Sequence, residues 1–218
     1  MPVVLIANPK GGVGKSTIAA NLAGFFAYSG RTTMLGDLDR QQSATSWLKL
    51  RPAMLPAIKS WNVDPHGVAR PPNGTTHVVI DAPAGVNGAK LNGVLKSADR
   101  IIVPLQASMF DIGATRQFLD DLFSNGSAPS RAQVGILGVR LDPRTRAAEQ
   151  LDRFVKTLGV PVLGYLRDTQ NYVHLAAHGL TLWDVAPGRV QKDLEQWLPI
   201  LKWIDSAASK PASNGRAH

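Results

Sequence analysis

One stretch decides the fold: residues 3–17 read VVLIANPKGGVGKST. The apolar start has the character of a buried strand, and the glycines after it let the backbone curl so that its N–H groups point inward. Such N–H groups, together with the positive end of the following helix, bind phosphate oxygens. The stretch therefore predicts a strand, a phosphate-binding loop and a helix. In this loop Lys15 reaches the β- and γ-phosphates of a nucleotide, and the Ser16 hydroxyl binds Mg²⁺.

The loop departs from the common P-loop pattern G-x-x-x-x-G-K-[ST], because Pro9 stands where the first glycine belongs. It also carries a second lysine, Lys10, and with the run KGGVGKST it resembles the deviant Walker A ATPases of the ParA/MinD group. That resemblance implies that Lys10 reaches across a nucleotide-sandwich dimer to the phosphates bound by the other subunit. The alternative is a glycine-rich turn with surface lysines. The predicted nucleotide-binding residues are Lys10, Gly11, Gly12, Val13, Gly14, Lys15, Ser16 and Thr17.

A short apolar strand over 32–36 leads to a second acidic motif, Asp37-Leu-Asp39-Arg40. It resembles the Asp-x-Asp-Pro-Gln motif of the same family, with Arg40 in place of the common proline. The resemblance implies that Asp39 positions the water that attacks the γ-phosphate and that Asp37 lies near the Mg²⁺ shell. The alternative is an aspartate-rich turn that caps a helix over 42–50.

A third apolar segment, residues 77–85, is tipped by Asp81 and resembles the Walker B strand, whose acid holds Mg²⁺ through water. A hydrophobic strand that ends in aspartate is, on its own, weak evidence for a Walker B strand. It is strong evidence when it follows the two earlier motifs. The candidate catalytic residues are Lys10, Lys15 and Asp39. The candidate metal ligands are Ser16, Asp37 and Asp81.

The rest of the chain alternates strand and helix patterns, which predicts an α/β fold: a doubly wound, mostly parallel sheet with helices on both faces. Ligands of such sheets bind at the carboxyl ends of the strands, where all three acidic positions fall. Residues 51–76 are rich in proline and glycine and predict a peripheral connection with one possible strand over 57–63. Further strands are predicted over 100–105, 133–141 and 160–166, and further helices over 16–29, 88–97, 111–124 and 144–159, with Ser108 or Asp111 capping the helix over 111–124.

Composition limits the possible functions. The 218 residues suit one domain, predicted over 1–206, with a disordered tail over 207–218. There is no cysteine, which excludes disulfides and thiolate metal sites, and the beginning of the chain resembles neither a signal peptide nor a membrane span. The formal charge of +8 favours a polyanionic partner.

The last part of the chain offers two alternatives to nucleotide chemistry. His174 and His178 have the i, i+4 spacing of a metal site, but ordinary helix histidines are the favoured interpretation because no third ligand is near. A last helix over 188–206, interrupted by Pro199, either packs on the sheet or binds lipid as a terminal amphipathic helix does. Its acidic residues favour packing.

By resemblance, the chain is a small ParA-type ATPase without an N-terminal DNA-binding domain. ATP and Mg²⁺ are then its cofactors, and ATP closes a homodimer that binds nonspecific DNA. A ParB-like or cargo adaptor protein stimulates weak basal hydrolysis, and the dimer partitions a plasmid or another cargo over the bacterial nucleoid, in the cytoplasm. The candidate DNA-contacting residues, each with ordinary solvated charge as the alternative, are Arg144, Arg146, Arg153, Lys156, Arg167 and Lys192.

Two other functions stay open. The first is a MinD-like positioning ATPase associated with membranes, although a membrane partner is disfavoured. The second is an ATP-dependent metabolic or metallochaperone enzyme of the same fold, which the lack of cysteine and of a second substrate motif disfavours.

Overall fold

The computed structural model describes residues 1–61, 71–85, 92–124, 133–142 and 144–208. Its centre is one sheet of seven strands, in which every paired strand is parallel to its neighbour. Across the sheet the order is β3-β2-β4-β1-β5-β6-β7. The strands are β1 (Val3–Ile6), β2 (Thr33–Asp37), β3 (Ile58–Trp61), β4 (His77–Asp81), β5 (Arg100–Leu105), β6 (Val134–Val139) and β7 (Val162–Leu166).

Helices cover both faces of the sheet, which confirms the predicted doubly wound fold. One hydrophobic cluster packs α3, α4 and α5 against one face, and a second packs α1, α2 and α7 against the other. A short 3₁₀ helix, Leu182–Asp184, lies with the second cluster. The α-helices are α1 (Lys15–Tyr28), α2 (Ser43–Leu50), α3 (Asn92–Leu95), α4 (Met109–Ser124), α5 (Arg146–Leu158), α6 (Gln170–Ala176) and α7 (Pro187–Ala208).

The central strand β1 shows why its sequence is apolar throughout. Val3 and Leu5 point into one cluster, while Val4 and Ile6 point into the other. All four residues are buried. A parallel strand that is covered on both faces has no polar side to alternate with, so it appears in the sequence as a continuous apolar run.

The strand order places the acidic motifs beside the phosphate loop. In the ladder, Ile6 at the end of β1 is opposite Asp81 of β4, and Asp81 is opposite Asp37 of β2. The carboxyl ends of these three adjacent strands therefore form one edge of the sheet. This edge is where the general rule for open α/β sheets places a ligand.

The structure tests the predicted boundaries. The strand over 100–105 is β5 without change, and the possible strand over 57–63 is confirmed as the edge strand β3, with residues 62–70 outside the described part of the chain. The predicted strand over 77–85 was too long, because β4 ends at Asp81. The helix over 144–159 begins later than predicted, since the Thr145 side chain caps α5 by accepting from the N–H of Ala148.

The prediction that Pro199 interrupts the last helix was wrong. α7 continues through Pro199 to Ala208, and its non-helical residue is Val190, near the beginning, with φ −130° and ψ 17°. Proline removes one backbone hydrogen bond from a helix interior. Burial of apolar side chains on the same helix compensates for that loss, because Trp197, Ile200 and Ile204 are almost fully buried against the sheet.

The packing of α7 confirms the favoured alternative for this helix. Most of its apolar residues lie in the second cluster, although Leu198 is exposed, and near the C-terminal end the Arg100 guanidinium lies over the Trp203 ring, 4.6 Å from the centroid. Arg100 also donates to the Ser206 hydroxyl. Among the described residues, no helix combines the length and apolar character needed to cross a bilayer.

A buried ion pair near Gly179 fixes the segment that joins α6 to α7. Arg51, which ends α2, pairs with Asp184 at 2.8 Å and donates to the Gly179 carbonyl. Gly179 has φ +68°, and a Cβ there would lie 2.4 Å from the carbonyl carbon of Leu50. Both the left-handed conformation and the close backbone contact therefore require glycine.

We expect Gly179→Ala to lower the free energy of unfolding by about 3 kcal/mol, because it adds backbone strain to a steric overlap that rigid backbone atoms cannot relieve. Urea unfolding followed by circular dichroism measures the change. Gly188→Ala is the matched control, since a Cβ at Gly188 meets nothing within 4 Å. This control should change the free energy of unfolding by less than about 1 kcal/mol. Equal effects of the two substitutions would contradict the prediction.

Candidate nucleotide-binding site

The phosphate loop occupies residues 7–14, between β1 and α1. Gly12 and Gly14 have φ of +75° and +84°, the left-handed region that favours glycine. Gly14 is the N-cap of α1, no side chain caps the helix there, and its first turn contains no acidic residue. The first N–H groups of α1 are thus directed at the loop, as an anion site requires.

The side chains of the two loop lysines lie in different environments. Lys15 is buried, and its ammonium group donates to the backbone carbonyl of Lys10 at 2.7 Å. Burial lowers the pKa of Lys15, although the carboxylates of Asp81 and Asp39 oppose that shift. Lys10 is half-buried at the rim of the loop. The loop therefore holds one cation inside the site and a second at its edge.

Asp81 is the most unusual group in the site. It is 0% exposed, and neither of its carboxylate oxygens has a hydrogen-bond partner of proper geometry among the described residues. Burial raises its pKa to about 7, and the Asp37 charge adds to the rise, while the nearby Ser16 hydroxyl and the Lys15 charge oppose it. A buried carboxylate without partners is costly unless a ligand satisfies it.

These features fit a hydrated divalent cation. Mg²⁺ prefers oxygen ligands and is commonly bound by one or two carboxylates, together with waters and substrate phosphates. Asp81 supplies an unsatisfied carboxylate, and Ser16 supplies a hydroxyl beside it. In the described part of the chain, no three His, Asp or Glu side chains form a preassembled metal cage. The arrangement suits a cation that enters with its nucleotide.

Asp37 and Asp39 are held differently. Both oxygens of Asp37 accept backbone hydrogen bonds, one from Asp39 at 3.0 Å and the other from Thr45 in the first turn of α2 at 2.9 Å. Asp37 therefore makes the helix-capping contact that the sequence left open, and each of its oxygens keeps a second lone pair for a metal or a water. Asp39 is half-buried, and one of its oxygens accepts from the backbone of Gln41.

Two other sequence predictions also have structural outcomes. The Ser108 hydroxyl accepts from the backbone N–H of Asp111, so Ser108 is the capping residue of α4. His174 lies in α6, but His178 lies beyond its end, where its Nδ1 is 2.8 Å from the His174 carbonyl oxygen. The pair is thus not arranged along one helix as predicted. Its contact is with a backbone oxygen, which agrees with the structural interpretation.

A cavity of about 140 Å³ lies beside the loop, between the start of α1 and the ends of β6 and β7. Val13 and Ile18 line one side, Val139 and Leu166 line the other, and Asp168 and Thr169 supply polar groups. An apolar slot with a few polar groups suits a flat heterocycle such as a nucleotide base. Sequence reasoning missed this cavity, although its walls follow two predicted strands at their carboxyl ends.

Residues 4–182 match the family model of the CobQ/CobB/MinD/ParA nucleotide binding domain. The chain belongs to this family. A curated relative, "Maintenance of carboxysome distribution protein A" of Gloeobacter kilaueensis, is 30% identical over 184 residues, or 83% of each protein. "Chromosome-partitioning ATPase Soj" of Thermus thermophilus is 31% identical in a match that covers 68% of this chain and 73% of that protein.

Solved structures of ParA/MinD-type proteins share the fold. The MinD cell division protein of Aquifex aeolicus superposes with a TM-score of 0.71 at 15% identity, over 99% of this chain and 100% of that one. An ATP complex of Cyanothece McdA superposes with a TM-score of 0.68 at 15% identity, over 98% and 99% of the two chains. ParA/MinD-type proteins are nucleotide-binding ATPases, so the family agrees with the geometry of the loop and its acids.

Proposed function

We propose that this ParA/MinD-type chain hydrolyses ATP as a homodimer to position or partition a large cargo over nucleoid DNA. The observation that carries the proposal is the meeting of the two-lysine loop with three aspartates at one edge of the sheet. Two relatives support the positioning or partitioning of a cargo, since their names refer to carboxysome distribution and chromosome partitioning.

In the proposed mechanism the N–H groups of the loop and of α1 bind the phosphates, and Lys15 neutralises the β- and γ-oxygens. Ser16 and Asp81 hold Mg²⁺, which when bound supplies positive charge to the transferring phosphoryl group. Asp39 orients the attacking water. Lys10, at the rim, reaches the phosphates of the second subunit, so that full stabilisation of the transition state waits for dimerisation. This explains the slow basal turnover that we expect.

Four of the DNA-contact candidates differ in whether an acidic side chain already pairs with them. Arg167 is paired with the fully buried Asp193 through two hydrogen bonds, of 2.5 and 3.1 Å, and Arg144 is paired with Asp142. A guanidinium held in this way has fewer donors left for a phosphate. In the described ranges, by contrast, no acidic group forms an ion pair with Arg146 or Lys156, both exposed on α5.

We expect the double substitution Arg146→Ala/Lys156→Ala to weaken ATP-dependent binding to nonspecific duplex DNA and to reduce the salt dependence of that binding. Each lost phosphate contact lowers the slope of log K against log salt by about one, so the change should be about two for each contacting subunit. Fluorescence anisotropy across a salt titration measures both. Arg144→Ala should change the slope by less than about one, because that guanidinium already pairs with Asp142. If the double variant kept the wild-type slope, α5 would not be part of the DNA-binding surface.

The proposed function is tested by the binding of nonspecific duplex DNA with ATP and with ADP, by wild-type protein and by Lys10→Ala. We expect binding that requires ATP, weakens with salt and disappears in Lys10→Ala. Lys59→Ala is the matched control, because Lys59 is an exposed lysine on the edge strand β3 and should not affect binding. Sedimentation velocity of the same samples reports whether ATP produces a dimer.

The membrane-associated alternative has its own outcome in this experiment. Liposomes of anionic phospholipid are added in a parallel arm with ATP. Because most apolar residues of α7 are packed on the sheet, we expect no co-sedimentation with liposomes. If the protein does not bind DNA in any nucleotide state but binds liposomes with ATP, the partitioning proposal fails and the MinD-like alternative replaces it.

Three further statements belong to the proposal. The protein acts in the bacterial cytoplasm, associated with the nucleoid, and an adaptor protein bound to the cargo stimulates its hydrolysis. Residues 1–206 act as a single domain. The predicted disordered tail over 207–218 lies almost wholly outside the described residues, which end at 208.

A further inference from the structure

Asn8 lies near the start of the phosphate loop, two residues after β1 ends, and is 1% exposed. Its amide group donates one hydrogen bond to the carbonyl of Pro104 in β5, at 2.7 Å, and another to the hydroxyl of Thr115 in α4, at 3.1 Å. Its Oδ1 accepts from the backbone N–H of Lys10 at 2.8 Å. One buried side chain thus joins the loop, the sheet and a helix, and both of its N–H donors are used.

These contacts fix the backbone of Lys10 on both sides. Asn8 holds its N–H, and the Lys15 ammonium holds its carbonyl at 2.7 Å. The half-buried Lys10 side chain therefore extends from a peptide segment that two buried groups define. A long flexible side chain loses much conformational entropy when its charged group must be held at one point. A fixed backbone lowers this cost, because only the side-chain torsions remain to be ordered.

Thr115 connects this arrangement to α4. It is fully buried, and the first turn of the same helix presents Phe110 to solvent with 83% of its surface exposed. A partner that moves α4 would change the contact between Thr115 and Asn8, and through it the position of the Lys10 backbone. A buried amide that loses a partner costs considerable free energy, so the three elements should move together.

The geometry points to Asn8 as a positioning residue for Lys10, held in place by Thr115 and so coupling α4 to the phosphate loop. The inference rests on the proposed function, in which Lys10 acts on the phosphates of the second subunit. Both side-chain N–H groups of Asn8 donate inside the fold, so none is left to donate to a phosphate. Its effect on hydrolysis is exerted through Lys10, and this separates it from a purely structural asparagine.

The test is Thr115→Val, which keeps the shape of the side chain and removes the hydroxyl. We expect the single-turnover rate of ATP hydrolysis to fall about tenfold, while affinity for a fluorescent ATP analogue changes less than about twofold. Thr115→Ser should restore the rate. Thr33→Val is the matched control: Thr33 is buried at the start of β2 and its hydroxyl donates to the Arg31 carbonyl, far from the loop. It should leave the rate unchanged. Asn8→Ala, a second variant, should lower the rate at least as far as Thr115→Val.

A double-mutant cycle with Lys10→Ala decides the mechanism. If Thr115 and Asn8 act through Lys10, then Thr115→Val should cause no further loss of rate in the Lys10→Ala background. An equal loss in both backgrounds, or a wild-type rate in Thr115→Val, overturns the inference while the proposed role of Lys10 stands. A wild-type rate in Lys10→Ala alone overturns that role and the inference with it.

Discussion

Asp81→Asn should make the nucleotide-free protein more stable and at the same time abolish its ATPase activity. The substituted side chain has nearly the same shape as the native one but carries no charge. Asp81 is fully buried, and both of its oxygens lack hydrogen-bond partners among the described residues, so its ionised form is penalised in the folded state. Removing the carboxylate also removes the group that we assign to Mg²⁺, so hydrolysis should fall by about a hundredfold or more.

The gain in stability should depend on pH in a defined direction. The pKa of Asp81 is raised from 3.8 to about 7 in the folded protein, so the folded state binds this proton more tightly than the unfolded state. Its contribution therefore disfavours folding progressively as pH rises from about 4 to 7. A shift of this size corresponds to about 4 kcal/mol, which is the largest advantage that Asp81→Asn should show above pH 7.

Urea unfolding of both proteins between pH 4 and 8, without nucleotide or Mg²⁺, measures the difference. The two curves should converge near pH 4 and separate toward pH 8. Mg²⁺ with ATP should then stabilise the wild type much more than Asp81→Asn, because ligand binding to the folded state adds to its stability. A variant that is less stable than the wild type at pH 8 would show that Asp81 is satisfied within the fold, and the proposed metal site would be wrong.

Much of the fold and of the candidate site follows from local sequence. β1, β2 and β4 are apolar because they are covered on both faces, and β2 and β4 each end in an aspartate at the edge where ligands of such sheets bind. Glycines at positions 12 and 14 indicate the loop because no other residue adopts their backbone conformation so readily. Such features depend on neighbours in the chain, and a sequence displays them directly.

Other features depend on pairs that are distant in the chain. Asn8 and Thr115 are 107 positions apart, and nothing local in either residue indicates the hydrogen bond between them. Arg167 is a plausible DNA contact in the sequence, and only the fold shows that Asp193 already holds it. The continuation of α7 through Pro199 likewise depends on packing against a distant part of the sheet. Tertiary packing overrides a local propensity at Pro199, while the other two features are contacts that exist only once the chain has folded.

Asp39→Asn should reduce ATP hydrolysis by about a hundredfold or more while leaving ATP binding almost intact. In the proposed mechanism the Asp39 carboxylate orients the attacking water, and a positioned carboxylate of this kind contributes about 10²- to 10⁴-fold. The amide cannot take a proton from water. It can still accept the hydrogen bond that Gln41 donates to Asp39 Oδ1 at 3.0 Å, so the turn should keep its conformation.

This substitution separates the catalytic role from the capping alternative, because asparagine and aspartate are nearly equal as capping residues. If Asp39 only stabilises the turn before α2, Asp39→Asn should hydrolyse ATP at the wild-type rate. Single-turnover hydrolysis and the affinity for a fluorescent ATP analogue are the two measurements. Asp120→Asn, an exposed position on α4, controls for the change in net charge and should alter neither. With hydrolysis arrested and ATP retained, the variant should stay on DNA longer than the wild type, since release in the proposed cycle follows hydrolysis.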